Sequence, residues 1–268
     1  MAYEILVLDI DGTLTNSNKE ISPKTLEAIL KIQERNHTVV LASGRPTPGI
    51  TALADKLKLS HYGGYILSYN GAKIINCKTG EIIYQRVLPT DMIPNLHAAA
   101  KSYQVGIISY EGDHVITDME IDEYMIKEAK INNIPIKKIT DFPNYINFPV
   151  HKCLMTGHGN RLAEIEPLMK EQFGDHVNIY RSEPFFLEIM PPNIDKANSL
   201  KELLKYLNLS NEQMISCGDG FNDLSMIEYA GMGVAMANAQ EIVKNAANYI
   251  TLSNDEDGVA HVIKEFML

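Results

Sequence analysis

Glu4-Ile5-Leu6-Val7-Leu8-Asp9-Ile10-Asp11-Gly12-Thr13-Leu14-Thr15 decides the fold. A short unbroken apolar run, Ile5 to Leu8, stops at a carboxylate. A second carboxylate follows two residues on, then a glycine and a threonine. An apolar run of this length reads as a strand buried on both faces, as in a parallel sheet. In open α/β sheets the ligand crevice lies outside the carboxyl ends of the strands, which places Asp9 and Asp11 where chemistry occurs. Side chains at i and i+2 point the same way while the chain stays extended. Gly12 then lets the backbone turn sharply.

Two neighbouring carboxylates repel, by about 4 kcal/mol at ~4 Å and an effective dielectric of ~20. A proton, a cation or both must offset this. A hard divalent cation with oxygen ligands is one answer, and a raised pKa that creates a general acid is the other. A plain Asp-rich turn at a strand end is the simplest rival. An EF-hand loop is excluded, because its glycine position falls on Leu14 and a strand, not a helix, leads in.

The same grammar recurs along the chain. Ser22-Pro23 opens a helix, with serine as N-cap and proline at the first helical position. Thr38 to Ala42 is a second buried strand, ending in Ser43-Gly44-Arg45-Pro46. Tyr65 to Ser68 is a short strand before the turn signal Asn70-Gly71, and Ile74-Ile75 and Ile82-Ile83 suggest a hairpin. Met214 to Cys217 is a third apolar strand, ending in Gly218-Asp219-Gly220-Phe221-Asn222-Asp223. Asp195-Lys196 precedes a helix with Leu200, Leu203, Leu204 and Leu207 at helical spacing. A lysine in a first helical turn opposes the helix dipole and, taken alone, reads as a solvated surface residue.

Between these segments the texture changes. Residues 85–184 alternate helices and strands without a strand-end carboxylate motif, and read as a separate α+β module. The expected organisation is a core of residues 1–84 plus 185–268, with the Phe186 to Met190 strand counted in the core, and an insertion at 85–184. Gly157-His158-Gly159 within it reads as a turn.

Apolar residues make up 45% of the 268 and charged residues 22%, ordinary values for a soluble globular protein. No apolar stretch approaches the ~20 residues of a membrane span. The N-terminus lacks the features of a signal peptide, and three scattered cysteines form neither a disulfide framework nor a zinc site, so a reducing cytoplasm is expected. A net charge of −10 without a basic run argues against a nucleic-acid partner. Such a chain must place positive charge locally to handle anionic substrates. Strand-end carboxylates, a strand-end hydroxyl and one helix-start lysine together suit phosphoryl transfer.

These residues carry a family resemblance. Asp9-Ile10-Asp11-Gly12-Thr13-Leu14-Thr15 resembles the first motif of the haloacid dehalogenase-like superfamily. Ser43 resembles the second, Lys196 the third, and Gly218-Asp219-Gly220-Phe221-Asn222-Asp223 the fourth. The long insertion between the second and third, and Asn70-Gly71-Ala72, resemble the Cof-like subfamily IIB with its C2-type cap. Ala197 departs from the glycine that often follows the lysine, and also suits a helix start.

The resemblance implies a Rossmann-like parallel-sheet core with an inserted α+β cap, and Mg²⁺-dependent hydrolysis of small phosphate esters. Asp9 would be the nucleophile that forms an aspartyl-phosphate. Asp11 would protonate the leaving oxygen and then act as base for water. Asp9, the Asp11 main-chain carbonyl and Asp219 would hold Mg²⁺, with Asp223 assisting. Ser43 and Lys196 would grip phosphate, helped by the backbone at Ile10 and Gly44 and by Asn222. Sugar phosphates or related metabolites are the expected substrates. A phosphomutase and a non-catalytic Mg²⁺- and phospholigand-binding protein are the alternatives.

Overall fold

The computed structural model describes residues 3–268. The chain forms two compact units: one runs from the N-terminus to Gln85 and resumes at Asp195–Leu268, and the other is Arg86–Ile194. Strands β1 (Ile5–Leu8), β2 (Thr38–Ala42), β3 (Tyr65–Ser68), β4 (Lys73–Asn76) and β5 (Ile82–Gln85) belong to the first unit. Strands β6 (Gly106–Glu111), β7 (His114–Thr117), β8 (Ile136–Lys138), β9 (Cys153–Thr156), β10 (Asn178–Glu183) and β11 (Phe186–Met190) form the second. Strands β12 (Met214–Gly218), β13 (Met232–Ala235) and β14 (Tyr249–Ile250) return to the first.

The first unit holds an eight-stranded sheet in the order β14-β13-β12-β1-β2-β3-β4-β5. Neighbours from β14 to β3 are parallel, and β4 and β5 close the edge as antiparallel strands. The chain winds outward from β1 through β2 to β3, then restarts at β12 on the other side of β1. This is the doubly wound order, and its switch point lies between β1 and β12. The unbroken apolar character of β1 has a direct cause. Leu6 and Leu8 pack with Ile29 and Ile32 of the helix Pro23–Glu34 and with Val262 and Ile263 of the helix Gly258–Phe266. Ile5 and Val7 face the other way, onto Leu200, Leu203 and Leu204 of the helix Lys196–Leu207. Both faces of the strand are covered, so neither can be polar.

Local signals set the helix starts. The Ser22 side chain accepts from Thr25 N and Pro23 occupies the first turn. Asp195 caps the helix Lys196–Leu207 by accepting from Asn198 N at 2.8 Å. Among the described residues no helix is long and apolar enough to cross a membrane.

The second unit is built on a six-stranded sheet in the order β10-β11-β9-β6-β7-β8. The helices Met92–Tyr103 and Gly159–Phe173 cover one face through Leu96, Ala100, Leu162, Ile165 and Met169, which meet Ile107, Met155, Leu187 and Ile189. Here the sequence expectation needs correction. The strand Phe186–Met190 does not begin the return to the core. It forms a tight hairpin with β10 and pairs antiparallel with β9, Leu187 opposite Met155. The second unit therefore extends to Ile194, and the core resumes with the cap residue of the next helix. The apolar run of Phe186–Met190 fits either sheet, and only the pairing with β9 and β10 decides.

That pairing also creates a buried ion pair. Lys152 Nζ lies 3.2 Å from Glu188 Oε2, with both side chains nine-tenths or more buried. Ser182 Oγ donates to Glu188 Oε1 at 2.9 Å. Removing one partner of a buried pair leaves an uncompensated charge, whereas replacing both by apolar residues is often neutral. Lys152→Met should thus destabilise this unit by about 3 kcal/mol, and Lys152→Met with Glu188→Leu should recover most of that loss in calorimetric unfolding. A double variant no more stable than the single would show that an uncompensated Glu188 charge is not the cause of the loss.

Candidate active site

At the switch point the ends of β1 and β12 lie side by side. The ladder continues one residue past the strands, with Asp9 N donating to Cys217 O at 3.0 Å. Gly12 follows with φ +86°, and a β-carbon there would sit 2.4 Å from Asp219 Oδ2. Only glycine satisfies both the left-handed backbone and the close approach of the two loops. Thr15 holds the turn through its amide and hydroxyl, both on Ile10 O at 2.9 Å.

Lys196 is the centre of the cluster. Its side chain is fully buried, and Nζ donates to Asp9 Oδ1 at 2.7 Å, Ala42 O at 2.7 Å and Asp223 Oδ1 at 2.5 Å. An ammonium group has three donors, and all three are used. This is the reverse of a solvated surface lysine. One side chain ties the ends of β1 and β2 to the loop after β12. Asp223 Oδ2 accepts from the backbone of Asp219 at 3.0 Å and Gly220 at 2.9 Å. Thr13 Oγ1 donates to Asp219 Oδ1 at 2.9 Å.

Asp11 lies in a different environment. Arg45 grips it as a fork, Nε on Oδ2 at 2.8 Å and Nη2 on Oδ1 at 2.7 Å, and Lys19 Nζ adds a bond to Oδ1 at 2.8 Å. Its side chain is partly exposed. Ser43 and Gly44 follow the end of β2, with Ser43 N on Leu67 O at 2.9 Å and Ser43 Oγ accepting from Arg45 N at 3.2 Å. Asn222 Nδ2 donates to Asn70 Oδ1 at 3.2 Å.

The acid–base character of the two N-terminal carboxylates diverges accordingly. Burial pushes Asp9 up, the negative charge of Asp223 adds to this, and Lys196 only partly compensates, so its pKa rises to about 8. Burial likewise raises Asp219, to about 6, against the pull of the Thr13 hydroxyl. Burial works on Asp11 in the same direction, but the hydrogen bonds and charges of Arg45 and Lys19 outweigh it and hold Asp11 below the usual range. Burial alone would lower Lys196, yet Asp223 and Asp9 keep it firmly protonated.

Asp9, Asp219 and Asp223 each offer a carboxylate oxygen within 4.8 Å of the others. One ammonium does not balance three carboxylates, and the charge of Asp223 adds to burial in raising Asp9 and Asp219. The bonds above use both oxygens of Asp223 but only one each of Asp9 and Asp219. Hard oxygen donors with surplus negative charge fit a divalent cation of the Mg²⁺ type.

Asp9, Lys196, Asp219 and Asp223 are brought together directly. Ile10, Ser43 and Gly44 lie in the adjoining strand-end loops. The Asp11 side chain is turned to Arg45 and Lys19, outside the acidic cluster. Arg45, Lys19 and Asn70 were not assigned roles from sequence. Arg45 had a signal, a cation two residues past the strand-end Ser43, whereas Lys19 stands in an ordinary polar loop.

The family profile of haloacid dehalogenase-like hydrolases matches residues 6–263. A haloacid dehalogenase-like hydrolase from Bacteroides thetaiotaomicron is 49% identical, with a TM-score of 0.95 over 98% of this chain and 99% of its own. The subclass IIB sugar phosphatase BT4131 is 26% identical, with a TM-score of 0.81 over 98% of each chain. The 5-amino-6-(5-phospho-D-ribitylamino)uracil phosphatase YitU of Bacillus subtilis is 30% identical over 98% of this chain and 97% of its own. The chain belongs to the haloacid dehalogenase-like hydrolases. Within them it is a Cof-like phosphatase, a phosphoric monoester hydrolase.

The pKa of Asp9 has a consequence for stability. Its folded value, about 8, exceeds its ordinary 3.8, so the folded chain holds the proton more tightly. The contribution to stability is present below about pH 4 and is lost as pH rises through about 8. In chelator, the melting temperature of the wild type should fall more between about pH 6 and pH 8.5 than that of Asp9→Asn, which has no proton to lose there. Parallel curves for the two proteins would contradict the assignment.

Proposed function

We propose that this phosphatase hydrolyses small phosphorylated metabolites of the sugar-phosphate type, through an aspartyl-phosphate on Asp9. The observation that carries the reading is the contrast between two carboxylates two residues apart. Asp9 sits with Lys196 in the buried cluster, and Asp11 sits outside it on Arg45. A nucleophile and a proton-transfer group need such separate environments. In the first half-reaction an Asp9 oxygen attacks phosphorus and the ester oxygen leaves with a proton from Asp11. In the second, Asp11 takes a proton from water as it attacks the aspartyl-phosphate. Ionised and clamped by Arg45, Asp11 is already in the form required of the base. Donating a proton in the first half requires the Arg45 fork to release it. Lys196 holds Asp9 in place and offers positive charge to phosphate oxygens, with Ser43, the backbone at Ile10 and Gly44, and Asn222 completing the grip.

Asp9, the Asp11 main-chain carbonyl and Asp219 would hold Mg²⁺, and Asp223 would support them from its bonds to Lys196 and the loop backbone. The ion would supply positive charge to a cluster that lacks it and to the phosphate oxygens. Two relatives support the proposed substrate class, one named as a sugar phosphatase and one named for a phosphorylated ribityl compound. The inserted unit is read as the cap that selects among metabolites, in line with the family resemblance.

A panel of phosphorylated metabolites, assayed for released phosphate with Mg²⁺ and with chelator, tests the reading. Sugar phosphates should be turned over with Mg²⁺ and not in chelator. Full activity in a chelator-stripped sample would overturn the metal assignment, and release from none of the sugar phosphates would overturn the substrate class. The role of Asp11 has its own test. Asp11→Asn should slow hydrolysis of alkyl phosphates at least ~10²-fold, within the range of general acid–base catalysis, and p-nitrophenyl phosphate much less. An equal loss on both would count against Asp11 as the acid.

A further inference from the structure

The loop between β3 and β4 has an unusual backbone. Tyr69, Asn70 and Gly71 all have positive φ, at 53°, 52° and 104°. A left-handed bulky residue such as tyrosine is rare. Ser68 pairs with Lys73, so a four-residue loop joins the strands, and turn geometry accounts for the reversal of the chain. It does not explain where the Asn70 side chain lies. Backbone bonds lock the loop onto the segment after β2: Tyr69 N donates to Arg45 O at 3.0 Å and Asn70 N to Ser43 O at 2.9 Å. Ser199 Oγ, one helical turn after Lys196, donates to Gly71 O at 2.6 Å. The loop thus touches the Ser43 segment and the Lys196 helix at once.

From that anchorage the Asn70 amide reaches two residues of the phosphate grip. Its carbonyl accepts from Asn222 Nδ2 at 3.2 Å. Its amide group also lies over Gly44, where a β-carbon would sit 3.1 Å from Oδ1 and 3.2 Å from Nδ2. Asn70 therefore fills the space that a side chain at position 44 would occupy, and it fixes which way the Asn222 amide points. We propose that Asn70 is a positioning residue for phosphate binding: it sets the Ser43-Gly44 loop and the Asn222 amide at a fixed separation. The inference rests on the reading of Ser43, Gly44 and Asn222 as phosphate-binding residues.

Asn70→Gly tests it cleanly. Glycine accepts the left-handed backbone and keeps the bond to Ser43 O, so folding is preserved while the amide is lost. The readouts are melting temperature, calorimetric affinity for orthovanadate in the presence of Mg²⁺, and turnover of p-nitrophenyl phosphate. The expected result is an unchanged melting temperature with vanadate affinity and turnover reduced about tenfold, the scale of one lost orienting hydrogen bond. Because the Asn70 amide orients Asn222, the loss of vanadate affinity in the variant combining Asn70→Gly with Asn222→Ala should be smaller than the product of the two single losses. Wild-type vanadate affinity in Asn70→Gly, or losses that multiply in the double variant, would overturn the proposal. Failure of the wild type to release phosphate from p-nitrophenyl phosphate would instead strike at the reading of the site, a result the vanadate titration does not depend on.

Discussion

The buried ammonium of Lys196 is the interaction on which the site depends. Burying a charge is tolerable only when it is paired and fully hydrogen-bonded, and here each of the three donors has an acceptor within 2.7 Å. Two acceptors are carboxylates from opposite sides of the switch point, Asp9 and Asp223, and the third is the last carbonyl of β2. Without the lysine, Asp9 and Asp223 would repel in a medium that screens them poorly. With it, they converge, and Asp223 in turn orders the loop after β12 through the amides of Asp219 and Gly220. A single side chain so converts electrostatic repulsion into a fixed arrangement of carboxylates.

The arrangement remains short of positive charge, and this is its chemical use. A fully neutralised cluster would have no affinity for a cation. Burial raises Asp9 and Asp219, the charge of Asp223 adds to it, and the oxygens they leave unbonded are hard donors suited to a divalent cation. Asp11 shows the opposite solution two residues away, where Arg45 and Lys19 neutralise one carboxylate outright. The different partners, Lys196 for Asp9 and Arg45 with Lys19 for Asp11, give two carboxylates two residues apart such different surroundings.

Much of this was legible in the sequence because strand ends in a parallel sheet announce themselves. Ile5–Leu8, Thr38–Ala42 and Met214–Gly218 are apolar on both faces and stop at polar residues, so Asp9, Ser43 and Asp219 could be placed at one edge before any coordinates. The family resemblance marks Lys196 as functional, but its full burial was not legible from the local pattern. Sequence shows a lysine in a helical first turn, where the dipole opposes it, and only the tertiary fold supplies the acceptors that reverse that judgement. The end of the inserted unit was misplaced because Phe186–Met190 carries no mark of the sheet it joins. Asn70 read as a turn residue, which it is. Its contacts with Gly44 and Asn222 arise between segments far apart in the chain, and no local pattern encodes them.

Covalent phosphorylation of Asp9 is open to a direct test by acid quenching. Protein mixed with acetyl phosphate or a sugar phosphate and Mg²⁺ should be quenched within one turnover and mapped by mass spectrometry. The expected result is a phosphorylated peptide bearing Asp9, its phosphate released by hydroxylamine as for an acyl phosphate, and no such peptide from Asp9→Asn. Turnover without any phosphorylated peptide at Asp9, or a hydroxylamine-sensitive phosphate on Asp11, Asp219 or Asp223 instead, would contradict it.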